Sequence, residues 1–79
     1  MKKIEELLKE LYPEVADEFD DSDDFISDGL LDSIDIQRLF DAVEEEYGIT
    51  LKGSELMPQN FKSVVSIREL LEDHDITGV

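Results

Sequence analysis

An all-α fold, a small bundle of three main helices and one short helix, is predicted from three observations. Apolar residues recur at i, i+3, i+4 and i+7 in separate windows, the stripe of an amphipathic helix. The chain has 79 residues, enough for one small domain spanning 1–79. It has no cysteine, so no disulfide supplements the core, and well-packed helices, a ligand or a partner must add stability. An apolar fraction of 41% suffices for such a core and argues against a disordered chain.

Ile4, Leu7, Leu8 and Leu11 define a first helix, roughly Lys2 to Tyr12, with Pro13 as its stop. Residues 13 to 32 form a long acidic connection, which Val15, Phe19, Phe25, Ile26, Leu30 and Leu31 are expected to pin across the helix ends. A connection of that length in a compact domain is often functional. Ile36, Leu39, Phe40, Val43 and Tyr47 mark the second helix, from about Ser33 to Tyr47, and Gly48 suits its C′ position. Ile49 to Leu51 reads as short and extended. A helical turn is expected around Ser54 to Asn60, with Pro58 near its start. Ser63 then caps a last helix carrying Val64, Ile67, Leu70 and Leu71. The tail from Asp75 to Val79 is expected to fray. No internal repeat and no domain boundary is visible.

Twenty-two acidic residues against seven basic ones give a net charge of −15. No positive charge occurs between Lys9 and Arg38, while acids accumulate from Glu10 to Asp35. Such a surface repels nucleic-acid phosphates and anionic lipid, which argues against both as partners. It attracts basic patches on proteins, and that steering is salt-sensitive. The same charge also keeps a small protein soluble. No apolar run approaches the ~20 residues needed to span a bilayer. The N-terminus turns acidic at once and lacks the apolar region of a signal peptide, so a cytoplasmic location is expected.

The run Asp28-Gly29-Leu30-Leu31-Asp32-Ser33-Ile34-Asp35 stands where the acidic connection becomes the second helix. Ser33 falls in the first turn, where backbone N–H groups lack intrahelical partners and the dipole is positive. A phosphate ester on its hydroxyl would be favoured there. Serine and aspartate before a helix are most often simple caps, worth about 1 kcal/mol. Here Asp32 can cap, with Asp35 as its capping-box partner, so Ser33 is not needed for that task. On a wheel of about 100° per residue, Ile34 lies almost opposite the apolar stripe, either as a stray exposed side chain or as part of a docking surface.

The stretch from Asp28 to Leu51, DGLLDSIDIQRLFDAVEEEYGITL, resembles the central part of an acyl carrier protein. The Glu44-Glu45-Glu46-Tyr47-Gly48-Ile49 close of the second helix and the later Asn60-Phe61-Lys62-Ser63-Val64 extend the resemblance over nearly the whole chain. The resemblance implies that Ser33 of the Asp32-Ser33-Ile34 triplet accepts a 4′-phosphopantetheine arm from coenzyme A. It implies a carrier of acyl or aminoacyl groups as thioesters rather than an enzyme, with no catalytic residue of its own. It implies that Asp32 and Asp28 help position the serine. The docking face would centre on Ile34, with Asp35, Gln37, Arg38, Asp41, Glu44 and Glu45 around it. Partners would be a phosphopantetheinyl transferase, an acyl- or aminoacyl-activating ligase, and transferases with basic docking patches, meeting a monomeric carrier. Met57, Phe61, Val65 and Ile36 are candidates to line an acyl-sheltering cleft, though ordinary core is the better reading of each.

Gln37 and Asp41 stand where fatty-acid carriers tend to be apolar, and Arg38 where an acid is usual. Arg38 is expected to pair with Asp35 and Asp41, worth a few tenths of a kcal/mol. The chain resembles D-alanyl carriers, and stand-alone carriers of polyketide and nonribosomal peptide pathways, more closely than fatty-acid carriers.

Other chemistries fit less well. An EF-hand register on Gly29 puts Ile26 at the third position and Asp35 at the twelfth, so no specific metal site is expected, only loose divalent binding over Asp20 to Asp28. His74, the one histidine, lies near the end of the last helix, a structural position rather than a general base. The reading from another class is an acidic interaction module, an unmodified scaffold or a nucleic-acid mimic, which accounts for the charge but not for Ser33 and Ile34.

Overall fold

The fold is described by a computed structural model covering residues 1–79. Helix α1 spans Ile4–Leu11 and buries Ile4, Leu7 and Leu8. It is shorter at both ends than its apolar pattern suggests. Lys3 is extended and offers no capping side chain, and Tyr12, preceding Pro13, leaves helical geometry at φ −132°. Proline pushes its predecessor out of the α region, which is why the helix stops there.

The acidic connection is far from structureless. Pro13–Glu18 form a 3-10 segment with a kink at Val15. Phe19 and Phe25 are fully buried, packed edge to face at 5.0 Å between ring centres. Asp24 opens a tight turn by accepting the Ser27 and Ile26 N–H groups, which holds its carboxyl below the usual carboxylate range. The Leu30 and Leu31 N–H groups both return to the Phe25 carbonyl. Gly29, at φ +75°, permits that reversal; a side chain there would have room but a strained backbone. Phe19, Phe25 and Leu31 therefore pin the connection as expected, with Val15 and Leu30 half-buried against the core. Ile26 does not: its position on the outer side of this turn leaves it exposed.

Helix α2, Ser33–Tyr47, buries the stripe Ile36, Leu39, Phe40, Val43 and Tyr47. It ends on Gly48 in the left-handed conformation at φ 63°, as its composition predicts. The expected short helix is two separate 3-10 turns, Gly53–Glu55 and Pro58–Asn60. Helix α3, Val64–Asp73, is capped by Ser63, whose hydroxyl accepts the Ser66 N–H at 3.0 Å. It packs against α1, with Arg68 reaching Glu5 at 3.2 Å. One apolar cluster joins all three helices and the connection.

The tail does not fray. Asp75 turns the chain at φ 63°, Ile76 folds back on α3, and the Val79 carbonyl accepts the Ile4 N–H at 3.1 Å. Val79 is buried. The tail thus satisfies a backbone donor at the start of α1 that no intrahelical partner can reach.

Glu55 accepts the Lys52 N–H at 2.8 Å and meets His74 Nε2 at 2.8 Å, linking the first 3-10 turn to the end of α3. Those two contacts lower its pKa below the ordinary 4.5. The folded state therefore favours the ionised form. Its stabilisation is complete above the unfolded value and is lost as the pH falls through the lower folded one. Glu55→Gln is expected to lower stability at pH 7 by about 1 kcal/mol. In urea titrations the gap to the parent should close as the pH falls below 4.5.

Candidate functional site

The site is built where the pinned connection delivers the chain into α2. The Asp32 carboxylate accepts the Asp35 N–H at 3.0 Å, and Asp35 returns the contact to the Asp32 N–H at 3.1 Å. This reciprocal capping box leaves the Ser33 hydroxyl outside the cap, on an exposed residue at the first helical position. The N–H groups of Ser33 and Ile34 have no intrahelical acceptor and lie at the positive end of a helix of 15 residues. A phosphodiester on that oxygen would meet unpaired donors and a favourable dipole.

Ile34 is 78% exposed, more than any other large apolar side chain of the chain. Gln37, Arg38, Asp41 and Glu45 are exposed with it, and Gln37 Nε2 lies 3.4 Å from Asp41 Oδ1. Asp35 is half-buried within the cap. Glu44 is also half-buried, and its carboxylate accepts the Leu51 N–H at 2.8 Å, closing the turn after α2. Asp28 is exposed, and its Oδ2 accepts the Ser22 hydroxyl at 2.5 Å. It faces a hollow of about 320 Å³ shared with Asp17, Glu18 and Asp21. The fold thus gathers acids of the 3-10 segment and the loop around one hollow that also includes Leu30, a grouping that spacing alone does not reveal. No three acidic or histidine side chains converge to hold a metal ion, so the loose divalent binding expected over Asp20 to Asp28 has no preformed ligand set.

Arg38 does not pair with Asp35 or Asp41 as expected. Its guanidinium instead lies over the Tyr12 ring, 5.7 Å from the centroid. Tyr12 in turn donates its hydroxyl to the Asp35 carbonyl at 3.2 Å. Burial pushes the Tyr12 pKa up to about 12, with the Asp35 charge adding to it, so the phenol remains a donor at neutral pH. Tyr12 therefore ties the end of α1 to the first turn of α2. The sequence marks Tyr12 only as the end of the first helix, and nothing in its spacing signals this contact.

The cleft expected from Met57, Phe61, Val65 and Ile36 is not formed. Phe61 and Ile36 are buried core, Val65 is 58% exposed, and Met57 is exposed, so the four share no hollow. A hollow with an apolar wall lies instead between the end of α1 and the start of α2, lined by Leu30 and Asp35 from either side of Ser33 in the chain.

No helix is long and apolar enough to cross a membrane. A family model described as a phosphopantetheine attachment site matches residues 2–72. No curated protein and no solved structure matches the chain.

Proposed function

The chain belongs to the phosphopantetheine-attachment family, whose members are non-catalytic carrier domains with a covalent 4′-phosphopantetheine, and from that premise we propose that Ser33 is its attachment point. The observation that supports this reading is an exposed first-turn hydroxyl left free because Asp32 and Asp35 cap the helix between themselves. The unpaired N–H groups of the first turn suit the phosphate. Asp32 acts through the helix cap and Asp28 through its tie to Ser22; both hold the backbone that presents the serine.

Modification is a phosphoryl transfer. The Ser33 hydroxyl gives its proton to a base on the transferase. Its oxygen forms a bond to the β-phosphorus of coenzyme A, and the bond to the 3′,5′-adenosine bisphosphate leaving group breaks. The attached group supplies a terminal thiol, which holds an acyl or aminoacyl cargo as a thioester and so provides the nucleophile this cysteine-free chain lacks. Residues 1–79 act as one monomeric carrier in the cytoplasm, meeting its ligase and transferases in turn. Tethering raises the cargo's effective concentration at each.

Incubation with coenzyme A and a broad-specificity phosphopantetheinyl transferase tests the reading. One phosphopantetheine mass should be gained and should map to Ser33 by peptide fragmentation. No gain, or a gain elsewhere, refutes it.

Ile34 and the acidic face around it form the docking surface. Its exposed side chain contributes little to the fold, so Ile34→Ala should leave the melting temperature within about 2 °C of the parent. An apolar anchor at the centre of an interface is worth more than about 1 kcal/mol. The kcat/KM of the transferase should therefore fall at least about fivefold. An unchanged value would remove Ile34 from the interface.

A further inference from the structure

We propose that the cleft between the end of α1 and the start of α2 is a seat for a short acyl group bearing a free carboxylate, with Arg38 as the group that receives it. The inference rests on Ser33 being the attachment point. The cleft measures about 330 Å³, and Leu11, Tyr12, Val15 and Leu30 form its apolar wall. Leu30 lies three residues before Ser33 and Asp35 two residues after it, so chain on both sides of the serine lines the cleft.

The charge pattern selects the cargo. In a chain of net charge −15, a carboxylate is repelled from most of the surface. Arg38 is the only cation between Lys9 and Lys52. None of the molecule's ion pairs includes it, although acids outnumber bases threefold. The guanidinium carbon lies 5.7 Å from the Tyr12 ring centroid, a cation–π contact to the ring face that leaves its N–H donors free for a further partner. A fork of that kind matches a carboxylate in both geometry and charge. The Tyr12 hydroxyl is already committed to the Asp35 carbonyl.

Two acids share the cleft. One Asp35 oxygen is engaged with the Asp32 N–H at the positive end of α2, which offsets its charge. Glu14 is exposed on the outer 3-10 segment, where solvent screens it. The apolar wall takes the methylene chain, and the guanidinium takes its end.

Three cargoes of matched length separate this seat from its alternatives. The transferase loads the protein from succinyl-, butyryl- or β-alanyl-coenzyme A, and mass spectrometry verifies loading. The readout is the nuclear magnetic resonance signals of Arg38 Nε–H, the Tyr12 ring, and the Val15 and Leu30 amides. Succinyl loading should move these signals, and added salt should reverse the movement. Butyryl and β-alanyl loading should move only signals near residues 32–36. In Arg38→Gln, succinyl loading should look like butyryl loading. The same pattern for all three cargoes, a larger movement with β-alanyl, or retention of the succinyl effect in Arg38→Gln overturns the seat alone. Failure of coenzyme A and of all three cargoes to add mass at Ser33 overturns the attachment reading, and the seat with it.

Discussion

Ser33→Ala is expected to abolish phosphopantetheine addition completely while leaving the fold untouched. The two halves of that result have separate causes. The hydroxyl oxygen is the atom that would bond phosphorus, so its removal takes away the acceptor and not merely a contact. The fold is indifferent because the cap belongs to Asp32, which accepts the Asp35 N–H at 3.0 Å. Alanine is also the best helix former, so the first turn gains slightly. Asp32→Ala provides the contrast. It leaves the acceptor in place but removes the cap, costing about 0.5–2 kcal/mol. For a domain of this size, that is a fall of roughly 4–8 °C in melting temperature per kcal/mol. Intact mass spectrometry and thermal unfolding by circular dichroism on the two variants read the outcomes. Undiminished mass gain in Ser33→Ala would dismiss the serine as the acceptor. A melting temperature lowered as much as in Asp32→Ala would make Ser33 a structural cap after all.

Phe25→Ala is expected to unfold most of the protein at 25 °C. Phe25 has no solvent exposure, packs edge-on against Phe19, and donates its N–H to the Lys62 carbonyl. Truncating a buried phenylalanine costs about 3–5 kcal/mol. A chain near this length seldom has more than about 3–5 kcal/mol of core stability to lose. Phe25→Leu, which keeps most of the volume, should cost less than about 1.5 kcal/mol. Circular dichroism at 222 nm and urea titration distinguish the two. A cooperative transition retained in Phe25→Ala, with a loss below about 1 kcal/mol, would show that the connection folds independently of its aromatic pair. The residue also bears on function. Its carbonyl gathers the Leu30 and Leu31 N–H groups, so it shapes the last turn of chain before Asp32 and Ser33.

The helices and their cap were readable in the sequence because each depends on neighbours three or four residues apart. The stripe of α2, the Asp32–Asp35 box, Gly48 at the helix end and the Ser63 cap are all local, and all four form as their residue types dictate. The exposure of Ile34 follows from the same periodicity. The family resemblance rested on these local signals too, and the match over residues 2–72 agrees with it.

Periodicity could not reach what depends on segments far apart in the chain. The tail was expected to fray because a terminus has no local partner, yet Val79 meets the Ile4 N–H across the molecule. Spacing pairs Arg38 with the acids on its own helix, yet the aromatic ring of Tyr12, at the end of α1, lies beneath its guanidinium instead. Ile26 and Val65 carry core side chains on the outer side of a turn and a helix, where only the packed fold reveals their exposure. Local propensity and spacing thus decided the helices, their caps and the position of Ser33 on α2. The closing of distant segments on one another decided the Tyr12–Arg38 cleft and the anchored tail, because burial and long-range hydrogen bonds exist only once the chain has folded.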